Sequence, residues 1–213
     1  MRTSTRRPVF GRVYPRLAAA MDEGGMAEHR RSLLAPLAGR VIEVGAGHGA
    51  NFAHYPPAVT GVLAVEPESR LRRIARTAAA VAPVPVEVTG AVAERLPIAD
   101  RSADAVVFCL VLCSLPEVDA ALAEARRVLG PGGRLRFLEH GRADSVGLVR
   151  LQRLLDATVW PRLAGGCHTG RDTVVMIERA GFTITALERF LLPAARTPFS
   201  FHTRGTAVAA NGR

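Results

Sequence analysis

"VIEVGAGHGANF", Val41 to Phe52, is the stretch on which the fold turns. Val41, Ile42 and Val44 read as a buried strand, and Gly45, Gly47 and Gly49 follow within five positions. Glycine lets a backbone turn sharply and lets a ligand approach closely. In open parallel sheets, ligands bind at such loops, at the carboxyl ends of strands where the strand order reverses. One carboxylate, Glu43, stands ahead of the glycines. A second, Glu66, ends the next apolar run, "GVLAVE". Its separation of about 20 residues suits an acid that meets ribose hydroxyls.

Outward from this centre the pattern alternates strand and helix, which predicts a mostly parallel sheet covered on both faces. One N-terminal helix is expected over residues 15–38. The helix after Glu66 puts Leu71, Ile74, Ala75 and Ala78 on one face. "VPVEVTG" is a third strand, and "DAVVFCLVL", apolar throughout, suits a central one. Ser114 and Glu117 have capping-box spacing ahead of the next helix, which Gly130-Pro131 stops. "RLRFLEH" is a fifth strand. Residues 146–164 and 171–181 read as helices, with Asp172 as an N-cap. "FTITALERFLL" and "TRGTAVAA" read as an antiparallel strand pair. The expected architecture is α/β: a doubly wound, Rossmann-like sheet of seven mostly parallel strands with an antiparallel C-terminal pair. It forms one domain over 1–213, with a helical cap (1–39), a cofactor-binding core (40–140) and an acceptor-side part (141–213).

The 213 residues are 48% hydrophobic, enough for a full core. No apolar run is long enough to span a membrane. Arg12 and Arg16 interrupt any signal-peptide core, leaving at most a peripheral membrane contact. The formal charge is +9, and all 28 basic residues are Arg. They are scattered and aromatics are only 5%, so a nucleic-acid partner is not expected. Cys109, Cys113 and Cys167 lie in or near apolar segments, which suits a reducing, cytoplasmic compartment. No C-x-x-C pair occurs, and no metal site is expected.

Two ligands compete for the glycine loop. Gly45, Gly47 and Ala50 match the G-x-G-x-x-A of a dinucleotide site, which would make the chain an NAD-dependent oxidoreductase. Glu43 disfavours a pyrophosphate, whose negative charge it would repel. It favours S-adenosylmethionine (SAM), which is cationic at its ammonium and sulfonium. At these residues the chain resembles class I SAM-dependent methyltransferases. "EVGAGHG" is similar to their first motif, "VEPE" to their second, "GAVAERLP" to the third-strand segment and "RVLGPGGRLRFLEH" to the fifth-strand region. The resemblance implies SAM as cofactor, S-adenosylhomocysteine (SAH) as product, and contacts from Glu43, Gly45, Ala46, Gly47, Asn51, Glu66, Pro67, Val92, Ala93, Cys109 and Leu110. Val92 replaces the acid that often meets the adenine amino group, so adenine is left to the backbone around Ala93 and to apolar packing.

"GANFAHYP", "VLCSL", "FLEH", "LQRLLDATVWPRLAGGCHTGRDT" and "FHTRGTAVA" together resemble the methyltransferase-like subgroup that includes thiol S-methyltransferases. Thr169-Gly170 departs from the subgroup's usual Leu-Thr, and the apolar anchoring helix of its animal members is missing. The implied acceptor is a small molecule, a thiol first. A quinone-like ring or a phospholipid amine is the nearest alternative, and a non-catalytic binding module is the third. A thiol, with a pKa of about 8.5, needs little help to ionise. His140 is the base candidate by position, with Glu139 beside it as a candidate orienter. His202 and His168 fall in acceptor-side segments, and His48 is expected at the surface. Cys113 and Trp160 are expected to pack, and Asp156 and Arg171 to shape the pocket.

Overall fold

The computed structural model describes residues 8–210. Its strands are β1 (Gly39–Val44), β2 (Val59–Val65), β3 (Val86–Thr89), β4 (Ala103–Cys109), β5 (Leu129–His140), β6 (Phe182–Leu191) and β7 (Phe201–Ala209). Its helices are α1 (Pro8–Met21), α2 (Ala27–Leu34), α3 (Ser69–Ala79), α4 (Val118–Val128), α5 (Val146–Ala157), α6 (Trp160–Leu163) and α7 (Thr173–Arg179). The strands form one sheet in the order β3-β2-β1-β4-β5-β7-β6. Neighbours from β3 to β5 pair in parallel, and β7 runs antiparallel to both β5 and β6. This is the expected Rossmann-like α/β sheet with an antiparallel ending. No helix among the described residues is long and apolar enough to cross a membrane.

Alternation along the strands builds two apolar layers. Ile42 and Val44 join Val106, Phe108, Leu135 and Phe137 on one face, under Leu122 and Ala125 of α4 and Ile177 of α7. Val41 joins Ala105, Val107 and Leu138 on the other, under Leu33 and Leu34 of α2 and Ala75 of α3. Each fully buried side chain of this size contributes about 1.5–3 kcal/mol. The chain order reverses between β1 and β4, so the crevice for a ligand opens at their carboxyl ends.

Four local expectations need correction. The single helix over 15–38 is two helices, beginning at Pro8 and separated by a π turn at Asp22–Met26 in which Gly25 has φ +113°. The Ser114–Glu117 capping box does not form, and α4 starts at Val118 without a side-chain cap. Pro116 is the reason: it biases Leu115 away from helical geometry, and Leu115 and Ser114 close a turn onto Val111 O instead. The helix over 146–164 breaks after Ala157, because Pro161 lacks an N–H and its ring would clash with the carbonyl four residues back. "DAVVFCLVL" stops being a strand at Leu110, whose φ is +58°.

Candidate active site

The glycine loop is fastened to the end of β2. The N–H groups of Gly45 and Ala46 donate to Val65 O at 2.8 and 3.1 Å. Gly45 needs its φ of +69°, and a Cβ there would lie 2.6 Å from Val111 Cγ2. Gly47, at φ +59°, donates its N–H to Glu66 Oε2 at 2.8 Å. The other oxygen of Glu66 accepts the Glu68 N–H at 2.8 Å. Burial pushes the Glu66 carboxyl up to about 7, although these N–H groups oppose the shift. Arg72 Nη1 donates to the carbonyls of Glu66 and Pro67, which fixes the backbone behind the acid.

Glu43 is 2% exposed, and both its oxygens are engaged. Asn51 Nδ2 donates at 2.9 Å and the Tyr55 hydroxyl at 2.7 Å. Burial raises its carboxyl to about 7, with Tyr55, Asn51 and Arg30 pulling the other way. The acid therefore braces the loop from below rather than standing open at its mouth. Arg30, which the sequence gave no reason to single out, completes this network. Its Nη1 donates to Asn51 Oδ1 at 3.0 Å and to Cys109 Sγ at 3.1 Å, and its Nε to Asp22 at 2.9 Å. Arg30 is 3% exposed, and its Nη2 has no partner among the described residues.

Tyr14 is the second residue that sequence reasoning missed. It reaches over from α1, and a Cβ on Gly47 would lie 3.3 Å from its ring. Burial pushes its hydroxyl up to about 12, against the pull of the Arg30 charge. His48, expected at the surface, is half-buried and edge-on to Tyr14, with centroids 5.7 Å apart. Phe10 stacks on Tyr14 at 4.8 Å and lies against Gly165. The first helix thus covers the glycine loop and reaches the segment after α6. On the far side, Val92 is half-buried and bridges to Arg95, and Ala93 is buried.

At the end of β4, Leu110 donates its N–H to Leu138 O at 2.7 Å in a left-handed conformation that leucine rarely adopts. Such strain persists where the surroundings over-determine it, often at functional sites. Glu139, fully buried, holds the turn that follows. Its Oε1 accepts the N–H groups of Val111 and Leu112, each at 2.9 Å, and its Oε2 that of Cys113 at 3.2 Å. Glu139 therefore orients this turn and not His140, which corrects the expectation, because neighbouring strand residues face opposite ways.

His140 and His202 are brought together, ring to ring at 4.7 Å. His202 hydrogen-bonds Ser200 O through Nδ1 at 2.9 Å, so that nitrogen carries the proton and Nε2 keeps a lone pair with no partner among the described residues. Burial, then the neighbouring His140, pushes its imidazole down to about 3, which leaves it neutral near pH 7. His140 Nδ1 lies 3.4 Å from Cys167 Sγ and 3.8 Å from Cys113 Sγ. Burial lowers the His140 imidazole, but the Cys167 contact and the Glu139 and Asp156 charges outweigh it, and the net direction is upward.

The loop carrying Cys167 is tied down at several points. The His168 N–H donates to Cys113 O at 2.8 Å, while its ring holds Gly166 O at 2.7 Å, a structural role. Arg171 Nη1 clamps the carbonyls of Leu112 and Leu115. Asp156 accepts the N–H groups of Thr169 and Gly170 at 2.8 and 2.9 Å. Gln152, fully buried, joins Gly141, Ala143, Thr169 and Pro198. Asp172 caps α7 as expected, accepting from Val175 N. Trp160 is half-buried and packs against Phe199, ring centroids 4.3 Å apart and tilted by 36°.

The methyltransferase domain family matches residues 42–137, which span this loop and the strands beside it. The Rattus norvegicus thiol S-methyltransferase TMT1B is 37% identical over 172 residues, 79% of this chain and 70% of the rat protein. The Homo sapiens thiol S-methyltransferase TMT1A is 34% identical over 172 residues, with the same shares. Among solved structures, a SAM-dependent methyltransferase from Thermotoga maritima superposes with a TM-score of 0.67 at 21% identity. That match covers 93% of this chain and 98% of the other.

Proposed function

The chain belongs to the SAM-dependent methyltransferases, and we propose that its acceptor is a small-molecule thiol. The observation that carries the acceptor class is the reach of the similarity. The match to proteins named thiol S-methyltransferases runs for 172 residues, well beyond the 42–137 of the shared domain.

The residues present fit the cofactor. Each oxygen of Glu66 accepts one backbone N–H and retains acceptor capacity, which suits a ribose diol. The orphaned Nη2 of buried Arg30 is a charged donor in want of an anion, and a carboxylate at the amino-acid end of the ligand supplies one. Asn51 and Glu43 set the floor beneath it. The backbone at Ala93 and the half-buried Val92 offer adenine an apolar slot. When bound, the cofactor supplies an electrophilic methyl group on a sulfonium.

The protein's part is to align and enclose. In-line displacement needs the reacting atoms held at about 3–3.5 Å contact, and that positioning is most of the catalysis. Leu110 and the turn braced by Glu139 form the end of β4, where acceptor and cofactor meet. Tyr14 and Phe10 of α1 exclude water from above. We assign His140 and His202 to the acceptor wall. A thiol that ionises at a pKa of about 8.5 leaves little for a protein base to do.

Methyl transfer from labelled SAM to a simple alkyl thiol, followed from pH 6 to 9 against a no-enzyme control, tests this reading. Turnover that rises with the thiolate fraction is the expected result. Normal SAH binding with no thiol turnover overturns the acceptor class, and ring and amine acceptors then take its place.

A further inference from the structure

Two of the three cysteines face one histidine at the closed end of the site. Cys113 sits in the turn after β4, His140 is the last residue of β5, and Cys167 lies in the loop after α6. Their donor atoms, Cys113 Sγ, His140 Nδ1 and Cys167 Sγ, all lie within 4.8 Å of one another. Both thiols are free, Cys113 being 1% exposed and Cys167 5%. A zinc ion with Zn–S of about 2.3 Å and Zn–N of about 2.0–2.1 Å in a tetrahedron sets its sulfur and nitrogen ligands about 3.6 Å apart. The separations of 3.4 and 3.8 Å in the structure straddle that value.

We propose that Cys113, His140 and Cys167 form a three-ligand site for a tetrahedral divalent metal of the zinc type. Two thiolates and a neutral imidazole make a soft set that suits zinc and not magnesium or calcium. Two thiolates also balance the ion's double charge, which matters in a buried place. Both cysteine backbones are held as a ligand set requires. Glu139 fixes the Cys113 N–H, the Cys113 carbonyl accepts from His168, and the Cys167 N–H donates to Ala164 O at 3.1 Å. Sequence spacing set metal binding aside because it lacks a C-x-x-C pair. The fold removes that objection by closing 54 positions of chain between the two cysteines onto one histidine.

Three protein ligands leave a fourth position, the arrangement of catalytic rather than structural zinc sites. Resting on the thiol reading above, we assign that position to the acceptor. On binding, the acceptor's S–H bond breaks, an S–metal bond forms and the proton leaves to solvent, which presents the sulfur as a thiolate at neutral pH.

The experiment strips the full-length protein with a chelator and titrates it with Co²⁺ alone, reading absorption and, separately, SAH affinity by calorimetry. One equivalent of Co²⁺ should bind with intense thiolate-to-cobalt charge transfer and tetrahedral ligand-field bands, and Zn²⁺ should displace it. Cys167→Ser and His140→Asn should each weaken Co²⁺ by at least about a hundredfold while SAH still binds. Cys109→Ala should keep the spectrum. Because a variant could fail to fold, native mass spectrometry of the unmodified chain supplies a second readout, with one metal per chain that is lost on chelation and regained on adding Zn²⁺. SAH binding without a charge-transfer band, an unaltered spectrum in Cys167→Ser, or a Cys113–Cys167 disulfide in place of metal each overturns the site. An alkyl thiol should change the cobalt spectrum, and an unchanged one overturns the fourth-ligand assignment. Thiol turnover by the stripped protein would count against the metal's role but not against the thiol reading, so the two fail separately.

Discussion

Glu66 is the residue whose proposed role follows most directly from spacing, and the structure gives it a duty toward the backbone. Its carboxylate holds both the Gly47 and the Glu68 N–H groups, so it shapes the glycine loop. Glu66→Ala should weaken SAH binding by about 1–3 kcal/mol, measured by titration calorimetry. Unchanged affinity would remove Glu66 from the site. Glu43 was legible as an acid near the loop, but its orientation was not, because Asn51 and Tyr55 engage it only once the loop has folded back. Its buried carboxyl titrates near 7 instead of 4.5, so the folded chain holds a proton there that the unfolded chain has lost. Stability from this group is therefore fully present below about pH 4.5 and declines as pH rises toward 7. Glu43→Gln should flatten that decline in denaturation curves taken at pH 5, 6 and 7. Glu66 and Glu139 are pushed up to about 7 by burial as well, so part of the slope should remain, and an undiminished slope would show that Glu43 is not among the titrating groups. Arg30 and Tyr14 left no mark in the sequence. Arg30 is one of 28 arginines, and only tertiary burial separates it from the rest.

At the scale of elements, glycine and proline carried most of the legible signal, and they also account for the misreadings. The three loop glycines announced the turn after β1, and Gly25, unremarked in the pattern, split the first helix. Pro116 cancelled a capping box whose spacing was correct, and Pro161 cut a helix whose periodicity ran on past it. Strand order was harder to read. The insertion of β7 between β5 and β6 depends on pairings far apart in sequence, and one glycine shows how tight that fit is. A Cβ on Gly205 would lie 2.4 Å from Phe137 Cζ and 2.6 Å from Ala186 O, so both β5 and β6 crowd the position. Gly205→Ala should destabilise the fold by about 1–3 kcal/mol, seen as a lower midpoint in urea with an unchanged slope. Parent-like stability would mean that the two strands separate more readily than their packing implies.

Across the whole molecule, the cofactor half was readable from its ordered motifs, whereas the acceptor half gained its meaning from contacts between distant segments. Gln152, Asp156 and Arg171 hold the Cys167 loop against the ends of β4 and β5, and none of them lies in a short motif that explains itself. Helix α1 closes the assembly, with Tyr14 over Gly47 at one end and Phe10 against Gly165 at the other. A ligand in the proposed site would touch the ends of β1, β2 and β4 together and so stabilise the sheet as a unit. For a ligand at a hundredfold its Kd, mass action adds about 2.7 kcal/mol to the folded state. A domain of this length shifts by about 2–4 °C per kcal/mol, so SAH at that excess should raise the thermal midpoint by about 5–10 °C. NAD at the same concentration should leave it unmoved, since the buried carboxyls of Glu43 and Glu66 flank the loop where a pyrophosphate would lie. Hydrogen exchange adds the spatial detail, because SAH should slow the amides of α1 along with those of the glycine loop. Protection of the loop alone would detach α1 from ligand binding, and a larger shift with NAD would overturn the cofactor assignment itself.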